Sequence, residues 1–403
     1  CVNRGCVPKK LMVYAAQLAY ELQGAAGYGW RAGQPEFDWS SFRGALHREL
    51  ERLRAYYEKI LGESKVAIHR GRARLAGPHE VRIGAESVRA RNLLLAVGGK
   101  PWKSTVPGSE LCAVSDDVFL LERVPRRAVV LGSGYIGVEM ACILRGLGAE
   151  ITLAFRSEAV LPKFDPDVRS HLSAEMAKKG VRILSGTQPQ GLERKGSSLV
   201  YHGRGVEPIE CDFVLSALGR VPNTADLGLE EVGVHMDDAG AVQVDEDLRT
   251  SVPSIYAVGD CTGRVQLTPV AIAEGRALAE TLFNANPTRV DYRFIPTAVF
   301  SLPPVGTVGL TEPEAAARGE VQVFRTSFRP MKHTLSGLDE RVMLKLVVDR
   351  DSGKVVGCHM VAPEAPELAQ LAAVALTAGV TKAEFDRTVA LHPTLAEELL
   401  LLR

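Results

Sequence analysis

Two cysteines open the chain, in Cys1-Val2-Asn3-Arg4-Gly5-Cys6-Val7-Pro8-Lys9-Lys10, where a helix is due to begin. Five positions apart across such a start, they can face each other over about one helical turn. A disulfide closing so short a loop gains little stability from entropy. It is better suited to redox exchange, because a helix N-terminus and nearby lysines lower a thiol's pKa. On spacing alone, two unrelated buried thiols remain the alternative. A metal centre is disfavoured, since no second Cys/His pair at ligand spacing lies nearby.

A second chemical signal is Gly132-Ser133-Gly134-Tyr135-Ile136-Gly137, which fits G-x-G-x-x-G between the apolar run Val129-Val130-Leu131 and a helix. Gly132 suits the tight turn, Gly134 lets backbone approach a pyrophosphate, and Gly137 allows close helix–strand packing. The helix start offers N–H groups and partial positive charge to phosphates. An NAD site wants an acid at the end of the next strand, but the chain reads Ala154-Phe155-Arg156 there. A guanidinium suits a 2′-phosphate through bidentate, charge-assisted hydrogen bonds, and Lys163 adds charge from the following loop. The expectation is NADPH.

These residues must be held by a sizeable body. The chain has 403 residues, 48 basic and 48 acidic side chains and 46% hydrophobic residues, enough for roughly two or three domains with cores of their own. Zero formal net charge argues against a broad nucleic-acid or membrane footprint. Apolar runs such as Leu93–Val97 and Leu399–Leu402 are too short to span a bilayer. Seven cysteines, an odd and sparse set, point to a reducing, cytoplasmic setting. The start at Cys1 carries no secretory signal pattern and reads as a fragment.

Periodicity predicts a helix within 2–23, with Leu11, Ala15, Leu18 and Leu22 on its apolar face, and another over 39–61 after the Pro/Gly stretch 27–35. Short strands follow over 65–97, ending at Gly98-Gly99. Residues 126–220 alternate strand and helix: 128–131, 135–147, 151–155, 166–179 and 181–184, a βαβαβ unit with a parallel sheet. Strands at 211–217 and 254–258 are assigned to a second α/β body, with a helix at 269–284. Strands at 297–310, 321–327, 342–349 and 354–362, then helices at 365–379 and 394–402, read as a separate α+β domain.

The cysteine segment resembles the redox-active motif of the class I pyridine nucleotide–disulfide oxidoreductases, and its Val7-Pro8-Lys9-Lys10 ending resembles the glutathione reductases within them. Three further segments in family order carry the likeness: Val214-Leu215-Ser216-Ala217-Leu218-Gly219-Arg220-Val221-Pro222-Asn223-Thr224, the FAD-binding Thr250–Asp260 stretch, and the interface motif Leu391–Glu398. The resemblance implies an α/β protein with two Rossmann-like nucleotide-binding domains, for FAD and NADPH, and a C-terminal α+β dimerisation domain. Expected boundaries are 1–104 for FAD binding, 105–222 for NADPH binding, 223–293 for a central region and 294–403 for the interface.

By the same resemblance, Cys1 and Cys6 form the redox-active disulfide, with Cys6 beside the flavin and Cys1 attacking glutathione disulfide. His392, supplied by the partner of a homodimer and oriented by Glu397, serves as acid/base, which suits a carboxylate that fixes the imidazole tautomer. Lys9 stands near the flavin and pairs with Glu139. Asp260 meets the ribityl chain, and Gly98 and Gly219 count among the cofactor-binding residues. Tyr135 covers the nicotinamide pocket. Thr268-Pro269 starts a helix with a capping hydroxyl, its positive end toward the flavin. Tyr57 and Arg276 fall at the glutathione site, where a cation suits an anionic disulfide and disfavours a polyamine-bearing one such as trypanothione.

Two departures accompany the likeness. Pro162 stands where a second phosphate-binding arginine is common in these reductases. The family's first βαβ unit, of at least about 30 residues, is expected to precede Cys1. Absence of that unit raises the alternative of an FAD-free, inactive fragment that binds NADPH or only dimerises.

Overall fold

Ala128-Val129-Val130-Leu131 forms a wholly buried strand because it lies inside a parallel sheet covered on both faces. The sequence is described here by a computed structural model of residues 1–31, 33 and 36–403, so part of the Pro/Gly stretch 27–35 lies outside the described residues. The chain divides into two units: Cys1 with Glu51–Trp102 and Gly219–Asp291, and Val2–Leu50 with Lys103–Leu218 and Tyr292–Arg403.

The second unit holds the four-stranded parallel sheet, in the order Phe213–Ser216, Arg127–Leu131, Glu150–Ala154, Val181–Leu184. Its register runs Phe213 to Ala128, Ala128 to Ile151 and Ile151 to Val181. Helices Tyr135–Gly146 and Pro166–Lys178 make the crossovers. The first helix, Cys6–Gly24, approaches the former so closely that a methyl group added at Gly146 would lie 2.7 Å from the Ala16 methyl. It therefore buries Met12, Val13 and Ala16 and leaves Leu18 and Leu22 exposed. The apolar stripe expected through Leu18 and Leu22 is corrected: backbone proximity selects the small residue, not the largest ones.

Three other expectations change. The 211–217 run is two strands, Ile209–Cys211 and Phe213–Ser216, broken at Asp212, whose carboxylate accepts from the Arg127 N–H and guanidinium. The later piece joins the same parallel sheet, not a second body. The earlier piece closes an unforeseen antiparallel sheet with Ser198–Gly203 and Pro189–Lys195. Likewise, 297–310 is two strands, Thr297–Val299 and Val305–Gly309, separated by Ser301-Leu302-Pro303-Pro304, where proline removes ladder donors.

Those two strands are the first two of a five-stranded antiparallel sheet in the order 297–299, 305–309, 355–361, 342–349, 321–328. Its interior strand Val342–Asp349 is buried along seven consecutive positions, because helix Ala365–Thr377 and other segments cover it. The expected terminal helix over 394–402 shrinks to Glu397–Leu400, preceded by Lys382–Arg387, which a Thr381/Glu384 capping box starts.

In the first unit, strands Ala73–Gly77, Glu80–Ile83 and Glu86–Arg89 form an antiparallel meander. Leu93–Leu95 pairs in parallel with Ile255–Ala257, and Gly99–Pro101 pairs antiparallel with Arg220–Pro222. Helix Thr268–Phe283 follows, and Leu75, Leu93, Leu95, Leu229 and Ile255 anchor the core. Helix Trp39–Glu63 runs through the division between the units.

Candidate active site

Cys1 and Cys6 are joined in a disulfide, and Cys6 is the first residue of its helix. Both are exposed. Gly5 occupies the cap position without a side chain to satisfy the helix start, and its carbonyl accepts from the Lys9 N–H at 3.0 Å. Thr268 Oγ1 lies 2.9 Å from Cys1 Sγ. The remaining five cysteines are free thiols. Burial pushes Cys142 and Cys358 up to about 12, and Cys112 and Cys211 up to about 11. Burial raises Cys261 as well, so at neutral pH all five stay protonated and thiolate chemistry falls to the first six residues.

Lys9, one turn into the same helix, donates to Glu139 Oε1 at 2.6 Å, and that carboxylate oxygen also accepts the Phe300 N–H at 2.9 Å. Glu139 is only 2% exposed on its side chain, so its charge depends on these partners. The Phe300 ring lies 4.5 Å from Lys9 Nζ and 3.8 Å from Lys10 Nζ. Desolvation lowers the pKa of Lys10, with Glu367 opposing and Lys9 adding to the shift. Phe300 escaped the sequence reading, because nothing local links the residue just after strand Thr297–Val299 to the cysteine helix.

The glycine-rich turn separates into two roles. Gly132 has φ +118°, and an added Cβ would lie 2.4 Å from the Ala217 carbonyl oxygen; at Gly137 it would lie 2.1 Å from the Gly132 carbonyl oxygen. These two glycines are demanded by the protein's own packing. At Gly134 an added Cβ meets nothing within 4 Å, although this residue caps helix Tyr135–Gly146. Open space before an uncapped helix start is what a pyrophosphate needs. Tyr135 is 41% exposed at the helix's first position. Arg156 and Lys163 are exposed, with no ion-pair partner among the described residues. Their loop is tied back to the turn: the Leu161 N–H donates to Ser133 O at 2.7 Å, and Ser133 Oγ lies 2.9 Å from Ser157 Oγ. The residues present fit NADPH.

In the other unit, Gly98 (φ +67°) and Gly219 (φ +145°) face open space, where a Cβ would meet nothing within 4 Å. Asp260 lies on the turn Gly259–Thr262, and its carboxylate is 4.0 Å from Arg220 Nε and a quarter exposed. The turn is held by buried Glu274, which accepts the Gly259 N–H at 2.6 Å; sequence reading passed over this residue. Half-open glycines beside a positioned carboxylate fit a flavin nucleotide. Thr268 requires a correction. Leu267 is the cap and Thr268 the first helical residue, with no side-chain cap hydrogen bond, so its hydroxyl is used toward Cys1. Arg276 is exposed on this helix, and Tyr57 is exposed on Trp39–Glu63 with its ring 6.4 Å from that of Tyr56.

Near the C-terminus, His392 Nδ1 lies 3.1 Å and 3.2 Å from the two carboxylate oxygens of Glu397. Glu397 also accepts the Thr394 N–H, and Thr394 Oγ1 accepts the Glu397 N–H. The His392 side chain is 79% exposed whereas Glu397 is 11% exposed. An anchored carboxylate thus holds an imidazole that is otherwise largely exposed, which is unusual for a structural histidine.

Comparison with known proteins shows the family of the chain. The pyridine nucleotide-disulphide oxidoreductase family matches residues 1–275, and the family's dimerisation domain matches 295–403. The chain belongs to that family. Among its relatives, glutathione reductase of Burkholderia cepacia is 44% identical over 404 residues, covering 100% of this chain and 90% of that protein. The chloroplastic/mitochondrial glutathione reductase of Pisum sativum is 44% identical over 407 residues, covering 100% and 74%. Trypanothione reductase of Trypanosoma congolense is 37% identical over 422 residues, covering 100% and 86%. The fold matches the HOCl-induced flavoprotein disulfide reductase RclA from Escherichia coli with a TM-score of 0.88 at 23% identity, over 100% of this chain and 90% of that one.

Proposed function

We propose that this chain, as a homodimer, reduces glutathione disulfide to two thiols with electrons from NADPH. The observation that carries the reading is the exposed Cys1–Cys6 disulfide at a helix start, in a protein whose other thiols burial keeps protonated. Bound FAD supplies a two-electron relay between NADPH and the cysteine pair. Gly132, Gly134, Gly137 and Tyr135 hold the nicotinamide nucleotide, with Arg156 and Lys163 on its 2′-phosphate. Asp260, Gly98, Gly219 and Lys9 hold the flavin nucleotide.

Once the disulfide is reduced, the Cys1 thiolate attacks one sulfur of glutathione disulfide. The sulfur–sulfur bond breaks, a first glutathione thiolate leaves, and His392 of the partner subunit protonates it. Cys6 then attacks Cys1 in the mixed disulfide, releasing the second glutathione and restoring the Cys1–Cys6 bond. NADPH, one proton and one glutathione disulfide become NADP⁺ and two glutathiones, so atoms and electrons balance. Glu397 stabilises the imidazolium and fixes its tautomer. Thr268 orients Cys1, and Tyr57 and Arg276 contact glutathione. The cation at Arg276 favours an anionic disulfide over the polyamine-bearing trypanothione.

The regions 1–104, 105–222, 223–293 and 294–403 then serve FAD, NADPH, the centre and the interface. A cytoplasmic setting suits thiol products; among the described residues no helix is long and apolar enough to cross a membrane. The test is NADPH oxidation by the flavin-loaded dimer with glutathione disulfide, compared with trypanothione, lipoamide and thioredoxin. Preference for glutathione disulfide, abolished in Cys1→Ser, is the expected result. No turnover with a full flavin spectrum would sink the reading, and absence of the flavin spectrum would favour the inactive fragment.

A further inference from the structure

One wholly buried lysine in the second unit takes no part in the thiol exchange. Lys345, on the interface strand Val342–Asp349, has no exposed side-chain surface. Its Nζ donates to Asp165 Oδ1 at 2.8 Å, Asp167 Oδ2 at 2.7 Å and Glu312 Oε2 at 2.6 Å. Asp165 is equally buried and fully engaged. It caps helix Pro166–Lys178 through the Asp167 N–H at 3.0 Å, and its other oxygen accepts the Glu312 N–H at 3.0 Å. Arg325 Nη1 completes the cluster at 3.0 Å from Asp167.

Asp165 also ends the loop that begins at Arg156. At its glycine-turn side, this loop is held by Leu161 and Ser157. Leu161 takes φ +51° while fully buried, a left-handed conformation that a non-glycine keeps only where its surroundings enforce it. The Phe164 N–H closes the loop's last turn on Leu161 O at 2.9 Å. The exposed Lys163 lies between Leu161 and Asp165, and the exposed Arg156 immediately precedes Ser157 at the loop's start.

We infer that Lys345 is a positioning residue for the nucleotide: through Asp165 it fixes the loop that presents Arg156 and Lys163 to the 2′-phosphate. The inference rests on the NADPH reading above. A buried lysine with three carboxylates is a poor device for stability alone, because desolvation offsets much of its attraction. It is an effective one for geometry, since each partner direction is specified. With Pro162 in place of a further arginine, discrimination relies on few cations, and their placement matters more.

The test measures kcat/KM for NADPH and NADH in the flavin-loaded dimer. Lys345→Met is expected to lower the NADPH/NADH ratio about tenfold through KM for NADPH, with KM for glutathione disulfide held within about twofold. In an Arg156→Ala/Lys163→Ala background the same change is expected to have no further effect, because the contacts it positions are gone. Should Lys345→Met not fold, Asp165→Asn keeps the cap and loses the ion pair, and is expected to lower the ratio about threefold. A lowered ratio in Arg156→Ala with an unchanged ratio in Lys345→Met, or in Asp165→Asn if that variant is used, overturns the inference alone. An unchanged ratio in Arg156→Ala overturns the nucleotide reading beneath it as well.

Discussion

Lys9 and Glu139, 130 positions apart in the chain, meet at 2.6 Å with Glu139 almost wholly buried. Their pairing joins the cysteine helix to the helix that the glycine-rich turn begins. Removing one partner strands the other charge in a low-dielectric site. Glu139→Ala is therefore expected to destabilise the fold by about 3–5 kcal/mol. Glu139→Gln keeps an acceptor for Phe300 N–H and should cost less, about 1–3 kcal/mol. Urea unfolding of the two variants measures the difference, and equal losses would show that charge is not what matters.

The glycine turn predicts a split outcome. Gly137→Ala puts a methyl 2.1 Å from a carbonyl oxygen and should cost about 1–3 kcal/mol of stability. Gly134→Ala has room within the protein, so its thermal melting should stay near that of the parent while NADPH affinity falls. Calorimetric melting and nucleotide titration separate the two, and a common loss of stability would contradict the assigned roles.

Thiol labelling should be equally selective. After reduction, Cys1 and Cys6 are expected to alkylate rapidly near neutral pH, while Cys142 and Cys358, raised to about 12 by burial, remain unlabelled in the folded protein. Peptide mass analysis after brief iodoacetamide treatment reports the sites.

For the histidine dyad, His392→Ala should reduce steady-state turnover by about 10²–10⁴-fold. Reduction of the cysteine pair by NADPH should be unaffected, because in the proposed function the imidazole acts only on the leaving thiolate. Glu397→Gln should give a smaller loss. Rapid-mixing measurements of each half-reaction are the check, and slowed cysteine reduction in His392→Ala would assign the residue elsewhere.

The Lys345 cluster has a pH signature. Burial pulls the Asp167 carboxyl upward, but the hydrogen bond and charge of Lys345, with Arg325, outweigh it and hold the group below its ordinary 3.8. A depressed carboxylate contributes stability above its unfolded pKa and loses it as pH falls through the folded one. For Lys345 desolvation acts downward, yet Asp165, Asp167 and Glu312 raise it above 10.5; its contribution is present below that value and lost as pH rises through the folded one. Asp167→Asn should therefore destabilise at neutral pH and converge with the parent as the pH falls from neutral through the lowered folded pKa of Asp167. Unfolding free energies across that range test it, and parallel curves would rule it out.

Much of the chemistry was legible before any fold. The cysteine pair, the glycine turn, the basic residue after Ala154-Phe155 and the His392–Glu397 spacing are short-range patterns. Spacing alone left two unrelated thiols as an alternative to the disulfide, and the resemblance to the family supplied the roles of His392 and Glu397. Strand and helix periods likewise placed 127–131, 135–146 and 181–184 within a residue or so. Tertiary structure alone decided which distant groups share a buried site: Phe300 beside Lys9, Glu274 on Gly259, Lys345 on Asp165, and Phe213–Ser216 in the parallel sheet. It also turned the first helix to bury Ala16 and expose Leu18. Such outcomes depend on how remote segments stack and on which charges are desolvated together, quantities that no window of neighbouring residues contains. The residues able to react are written locally; the environment that directs them is assembled only when the chain closes on itself.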